Sequence, residues 1–293
     1  MSKRSVLGLT YAFEALKEHV NVDTLLKKHG LTSANLDPTA YINIATELAI
    51  LNDLVDYIPS DDAGISVGAI FSLAGYGPLG MLLMSCETPF QATQIGVKYQ
   101  KLTYLYGELS LKIFSDTSAL CYLPHQLPDK VRRFIIDRDI SGTYRLIEDL
   151  RAYMNLNISM TELWLPYPKP DNVATIEKRY NCPIIYDRPE ARFYIANEDL
   201  QRPFPSTNKA ACGLYTSQCN QLLESLRGSE DQLSPAVKNH LSLFHNNYPN
   251  ATEVAGTLGF SVRTLRRKLR IEGSSFQKII DETKYDKAQQ YLK

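Results

Sequence analysis

The chain has 293 residues, 44% of them apolar and 22% charged, with 32 basic and 32 acidic side chains. Such a composition describes a soluble globular chain, long enough for one core but more naturally divided into two domains, and it excludes a membrane protein or a disordered one. The zero balance hides an asymmetry: residues 231 to 293 carry ten Lys/Arg against six Asp/Glu, whereas the remainder carries 22 against 26.

In chain order, the first hundred residues read as helices. Asp37-Pro38 has the form of an N-cap followed by a proline at the first helical position, and Tyr41, Ile44, Ala45, Leu48 and Val55 then fall on one helical face. Gly75-Tyr76-Gly77-Pro78-Leu79-Gly80 reads as a bend between helices; it has neither GxGxxG nor Walker spacing. Thr88-Pro89-Phe90-Gln91 supplies a cap, an N1 proline and a capping-box glutamine for a helix running towards Tyr106. Glu108 to Ile113 alternates, and Ala119 to Leu123 follows a short turn, which predicts a hairpin. A helix from Pro128 to about Met154, a strand from Met160 to Leu165, a short helix from Asp171 to Tyr180 and strands at Pro183 to Tyr186 and Ala191 to Ala196 complete the pattern. The order indicates an α+β domain with a mainly antiparallel sheet.

Pro203 to Pro235 reads as a linker with a helix through Leu226 and a break at Gly228-Ser229-Glu230-Asp231. Ser234-Pro235 is read as the cap of the next helix, with Val237, Leu241 and Phe244 facing inward. The segment Ala251 to Arg270 then has the layout of a helix-turn-helix. Asn250 with Glu253 forms a capping-box signature, Ala255 is small where two helices must approach, and Gly259 tolerates the positive φ of the turn. Ser261 is an N-cap for the second helix, and Leu265 anchors that helix beneath the first, with Val254, Leu258 and Phe260 closing the small core. From Ser261 to Arg270 there are five basic residues and no acid. At helical spacing Val262, Leu265 and Leu269 share one side, while Arg263, Thr264, Arg267 and Arg270 point the other way and Arg266 and Lys268 flank them. Arginine reads guanine bidentately or grips phosphate, and threonine touches phosphate or a thymine methyl. Arg263, Thr264 and Arg267 are therefore the expected base contacts, and Arg266, Lys268 and Arg270 the expected phosphate contacts. Ser274 or Ser275 opens a final helix bearing Phe276, Ile279 and Ile280.

The stretch Thr252-Glu253-Val254-Ala255 … Leu258-Gly259-Phe260-Ser261-Val262-Arg263-Thr264-Leu265-Arg266-Arg267-Lys268-Leu269 … Glu272-Gly273-Ser274-Ser275-Phe276 resembles the first helix-turn-helix of an AraC/XylS-type transcription regulator. More narrowly it is similar to the subgroup with an arabinose-binding-type N-terminal effector domain. The glycine-rich turn at 75–80, Tyr99-Gln100-Lys101-Leu102 and Tyr180-Asn181-Cys182-Pro183-Ile184 carry a looser similarity over about residues 20 to 200. The resemblance implies an effector-sensing, dimerising N-terminal domain, although the family label does not make arabinose the ligand. It also implies two helix-turn-helix units, and the sequence stops at Lys293, where the helix leading to the second would end. A truncated chain is the expectation. The aromatic residues assign no effector site: Trp164 lies on an alternating strand, and Tyr99, Tyr104 and Tyr106 at helical spacing read as packing residues.

Catalytic and metal chemistry finds no support. Cys86, Cys121, Cys182, Cys212 and Cys219 are odd in number without CxxC spacing, and read as buried thiols in a reducing compartment. His19, His29, His125, His240 and His245 form no HExxH, and no GxSxG is present. No signal peptide is visible, and Leu79 to Met84 is far too short to span a membrane. The expected protein is a cytoplasmic, non-enzymatic, cofactor-free transcription regulator. In this reading residues 1–204 form the α+β effector and dimerisation domain, 205–232 the linker, and 233–293 an all-α helix-turn-helix unit. Its expected partners are double-stranded DNA, a small-molecule effector and a second copy of itself. The alternative is a ligand-binding interaction module whose shortened DNA unit no longer binds operator.

Overall fold

A computed structural model describes residues 3–58, 60–171, 173–205, 207–227, 233–244 and 247–291. Its elements are β1 (Lys3–Ser5), α1 (Leu7–Ala15), α2 (Val22–Lys28), β2 (Tyr41–Asn43), α3 (Ile44–Leu54), α4 (Ala63–Ala69), α5 (Pro78–Met84) and α6 (Pro89–Lys98). They continue with β3 (Gly107–Ile113), β4 (Thr117–Pro124), α7 (Asp129–Tyr153), β5 (Met160–Trp164), α8 (Ala174–Tyr180), β6 (Ile184–Ile185), β7 (Ala191–Ala196) and α9 (Asn197–Leu200). The last helices are α10 (Lys209–Arg227), α11 (Leu233–Ser242), α12 (Ala251–Thr257), α13 (Val262–Ile271) and α14 (Phe276–Tyr291).

The chain forms two compact units, one comprising Met1–Pro59, His125–Arg132 and Ser225–Lys293, the other Ser60–Pro124 and Arg133–Glu224. These packing units cut across the sequence segments 1–204 and 233–293. In the first unit, α3 lies against α11, and Ala45 joins Leu233, Val237, Leu241, Val254, Leu258, Leu265 and Leu269 in one apolar cluster. The physical reason is the α3 face carrying Ala45, Leu48 and Leu51, which needs an apolar partner and finds one in α11. In the same unit β1 pairs antiparallel with β2, and the buried Arg4 meets Glu47 of α3 at 3.4 Å.

The expectation at Asp37-Pro38 is corrected here. Asp37 does not open a helix; its carboxylate accepts from the backbone N–H and hydroxyl of Thr39, closing a turn that leads into β2. The helix begins after Asn43, whose side chain accepts from Ala45 N–H. Two short strands, β1 and β2, thus stand among segments expected to be helical throughout.

The second unit contains a five-stranded sheet in the order β3-β4-β7-β5-β6. Only the β5–β6 pair is parallel; the other three pairs are antiparallel. Alternation places Ala191, Phe193 and Ile195 of β7 inside. Helix α4 approaches α7 closely through Gly64 and Gly68, where an added Cβ would lie 2.3 Å from the carbonyls of Phe134 and Arg138 respectively. The buried polar groups of α7 are tied to the residues around them. Asp139 accepts from Tyr106 N–H at 2.6 Å and from the Tyr122 hydroxyl at 2.7 Å, and pairs with Arg138 at 2.7 Å. Asp137 accepts from Arg133 and from the Tyr167 hydroxyl, both at 2.6 Å. Burial still raises its carboxyl to about 6, outweighing the attraction of Arg133.

The expected hairpin, the 25-residue α7 and the later strands all appear. The helix opened by Thr88 ends at Lys98 rather than continuing towards Tyr106. Cys86, Cys121 and Cys219 are buried as expected, whereas Cys182 and Cys212 are only half-buried.

Candidate nucleic-acid interface and a candidate ligand cavity

Local chemistry fixes the geometry of α12 and α13. Asn250 accepts from the N–H groups of Thr252 and Glu253, and Glu253 accepts in return from Asn250 N–H at 2.6 Å, a complete capping box. The far end of α12 closes as a Schellman motif. Gly259 takes φ +74°, its N–H reaches Gly256 O at 3.0 Å, and Phe260 N–H reaches Ala255 O at 2.7 Å. Ser261 then caps α13 by accepting from Thr264 N–H. Ala255 and Leu265 are both buried where the two helices meet.

The same terminator recurs after α13. Gly273 has φ +70°, with Gly273 N–H on Arg270 O and Ser274 N–H on Leu269 O. Between these stops lies Glu272, whose carboxylate accepts from Leu233 N–H at 2.6 Å and from both Ser234 N–H and its hydroxyl. It therefore serves the N-terminal donors of α11, a role expected of Ser234 itself. Those hydrogen bonds hold the Glu272 carboxyl below the usual carboxylate range, against the opposing effect of its partial burial. Lys238 pairs with Asp286 at 2.8 Å, joining α11 to α14. The final helix is capped by Ser275, with Ile279 and Ile280 buried.

This arrangement leaves one face of α13 in solvent. Arg263, Arg266, Arg267 and Arg270 are exposed, and none of their guanidinium groups has an ion-pair or hydrogen-bond partner among the described residues. Thr264 is half-buried, with its hydroxyl 2.9 Å from that of Ser261, so its methyl group is the part left for another contact. Lys268 is half-buried too, its ammonium 5.7 Å from the centre of the Phe260 ring. Four unpaired guanidinium groups along about two turns of helix make a strongly positive strip, whose field attracts anions.

The second unit holds an apolar cavity of about 110 Å³. Residues of α5, α6, β3, β4 and the C-terminal half of α7 line it. Tyr99, Tyr104 and Tyr106 do not; they are buried packing residues, with the Tyr99 hydroxyl on Asn220 and the Tyr104 hydroxyl on Gly75 O. Thr103 and Leu105, which alternate with these tyrosines, face the cavity. Helical spacing concealed this, because the chain beyond Leu102 runs extended into β3. Trp164 packs beside Tyr194 and beneath Arg188 and Arg192. No group of His, Cys, Asp and Glu able to hold a metal occurs among the described residues. Among those residues, no helix is long and apolar enough to cross a membrane.

The family described as the N-terminal arabinose-binding domain of AraC transcription regulators matches residues 20–204, and the chain belongs to it. Its relatives are transcription regulators. The uncharacterized HTH-type transcriptional regulator Rv1395 of Mycobacterium tuberculosis is 26% identical over 264 residues, 85% of this chain and 72% of its own length. The ornithine utilization regulator of Pseudomonas aeruginosa is 24% identical over 229 residues, 78% of this chain and 66% of that protein. Among solved structures, the transcriptional regulator CdpR of Pseudomonas aeruginosa shares the fold with a TM-score of 0.52 at 19% identity, covering 96% of this chain and 85% of that one.

Proposed function

We propose that the chain is a sequence-specific DNA-binding transcription regulator whose output is set by a small effector. The unpaired arginine face of α13, presented on a capped helix–turn–helix, carries this reading. Arg263, Thr264 and Arg267 are assigned to base edges, and Arg266, Lys268 and Arg270 to phosphates. Ala255, Gly259, Ser261 and Leu265 set the angle at which α13 is offered. The family match over residues 20–204 supports an effector-binding region there, with residues 205–232 as linker and 233–293 as the DNA unit. The acting species is a cytoplasmic homodimer. Effector binding favours one arrangement of the chain over another and so changes DNA affinity.

The test is fluorescence anisotropy with a duplex from upstream of the chain's own gene and a scrambled duplex, at low and moderate salt. Arg263→Ala/Arg267→Ala should lower affinity for the upstream duplex by about 2–6 kcal/mol, from two contacts of about 1–3 kcal/mol each. Salt-sensitive binding that the double variant retains in full would overturn the assignment.

A further inference from the structure

The wall of the cavity is aliphatic, with Leu83, Leu109, Leu146, Ile147, Leu150 and Ile195 contributing to it. The three threonine hydroxyls at its edge are already committed: Thr93 donates to Pro89 O, Thr103 to Gln100 O and Thr143 to Asp139 O. Arg151 is the exception. It lines the cavity from α7, and its Nε is buried without a hydrogen-bond partner. Nor does its side chain form an ion pair among the described residues. The acids nearest to it along the helix are taken: Glu148 receives Arg179 at 2.8 Å, and Asp149 receives Arg145 at 2.8 Å and Leu73 N–H at 2.9 Å. Among the described residues, no acidic side chain lines the cavity.

A guanidinium with a buried, unpaired N–H bears a desolvation cost that a bound anion would relieve. Carboxylate matches the guanidinium fork, and a single arginine suits a single charge. The rest of the lining offers hydrocarbon contact and no free donors. A polyhydroxylated sugar would lose water from each hydroxyl and regain few hydrogen bonds, so the lining does not suit one.

We propose that this cavity binds an aliphatic monocarboxylate, with its chain against the Leu/Ile wall and its carboxylate on Arg151. The volume, about three-quarters of that of a cavity admitting one benzene ring, holds roughly four to five carbons, and the open mouth leaves room for the rest of a longer chain. That this ligand is the effector rests on the regulatory reading above; that it binds does not.

Calorimetric titration of the whole chain with octanoate, 1-octanol and L-arabinose tests the assignment. Octanoate is expected to bind one to one, at least tenfold more tightly than 1-octanol, with arabinose silent. Arg151→Gln should abolish the acid-over-alcohol preference while 1-octanol still binds. Gly96→Leu should weaken both ligands without unfolding the chain, because Gly96 lines the cavity and a Cβ there meets no atom within 4 Å. Equal binding of acid and alcohol, no binding of octanoate, or a preference that survives Arg151→Gln would overturn the proposal. Repeating the DNA titration with octanoate separates the two claims. Binding of octanoate without a change in DNA affinity would remove it as effector and leave the ligand class standing. A DNA response to another compound, with octanoate not bound, would do the reverse.

Discussion

On α13, Arg263, Arg266, Arg267 and Arg270 stand in solvent without an acidic partner. In the sheet-containing unit Arg133, Arg138, Arg179 and Arg192 each meet a carboxylate at 2.6 to 2.8 Å, and Arg133 also lies 3.6 Å from the centre of the Tyr167 ring. The same side chain serves two ends. Where the fold supplies the counter-charge, arginine joins elements of one core; where it withholds it, arginine is left to meet an anion from outside. Arg151 lies in the second unit but follows the rule of α13, without an ion-pair partner among the described residues.

The largest effect expected of any stability variant falls on the close-packed side of this comparison. Gly68→Val would set a Cβ 2.3 Å from Arg138 O and 2.6 Å from Gly142 N, and backbone atoms cannot swing aside. We expect a loss of about 3 kcal/mol, read by urea unfolding through the single tryptophan, Trp164. An unchanged midpoint would mean that α4 and α7 do not pack as described.

The next effect is in the first unit and depends on pH. The ring nitrogens of the buried His240 and the half-buried His125 are shielded from solvent without hydrogen bonds, and this burial lowers the two imidazoles from 6.5 to about 3 and about 4 respectively. Between those values and 6.5 the unfolded chain binds more protons than the folded one. Their contribution is therefore complete above pH 6.5 and is lost as pH falls towards the folded values, at about 1.4 kcal/mol per unit of displacement. His240→Leu should flatten the fall in unfolding free energy between pH 7 and 5, measured by denaturant titration at each pH. An equally steep fall in the variant would assign the acid sensitivity elsewhere.

The smallest effect tests the exposed side of the comparison. Asn250→Ala removes the α12 cap and should cost about 1 kcal/mol, seen in far-UV melting, with DNA affinity reduced less than by loss of the arginines. A larger drop in affinity than in stability would bring Asn250 itself into contact with DNA.

What could be read beforehand follows the range of the interactions. The caps at Asn250, Ser261 and Thr88, and the turn at Gly259, depend on residues within a few positions of one another, and all are legible in sequence. Alternation in β3, β4 and β7 was legible for the same reason. Asp37 is ambiguous in sequence because an Asx turn and a helix cap begin with the same side chain, and only the pairing of β2 with β1 decides between them. The arginine face needed only helical periodicity. Arg151 was out of reach, since its significance comes from Glu148 and Asp149 being occupied by Arg179 and Arg145. Nothing in the local sequence announces that α3 packs on α11, about 190 residues further along the chain.

Glu272 follows the last turn of the arginine helix, yet its carboxylate is spent on the first turn of α11, which itself rests on α3. The orientation of the positive strip is therefore anchored to the N-terminal part of the chain by a three-link tie-rod. Lengthening or loosening any link would tilt the strip without altering one of its charges.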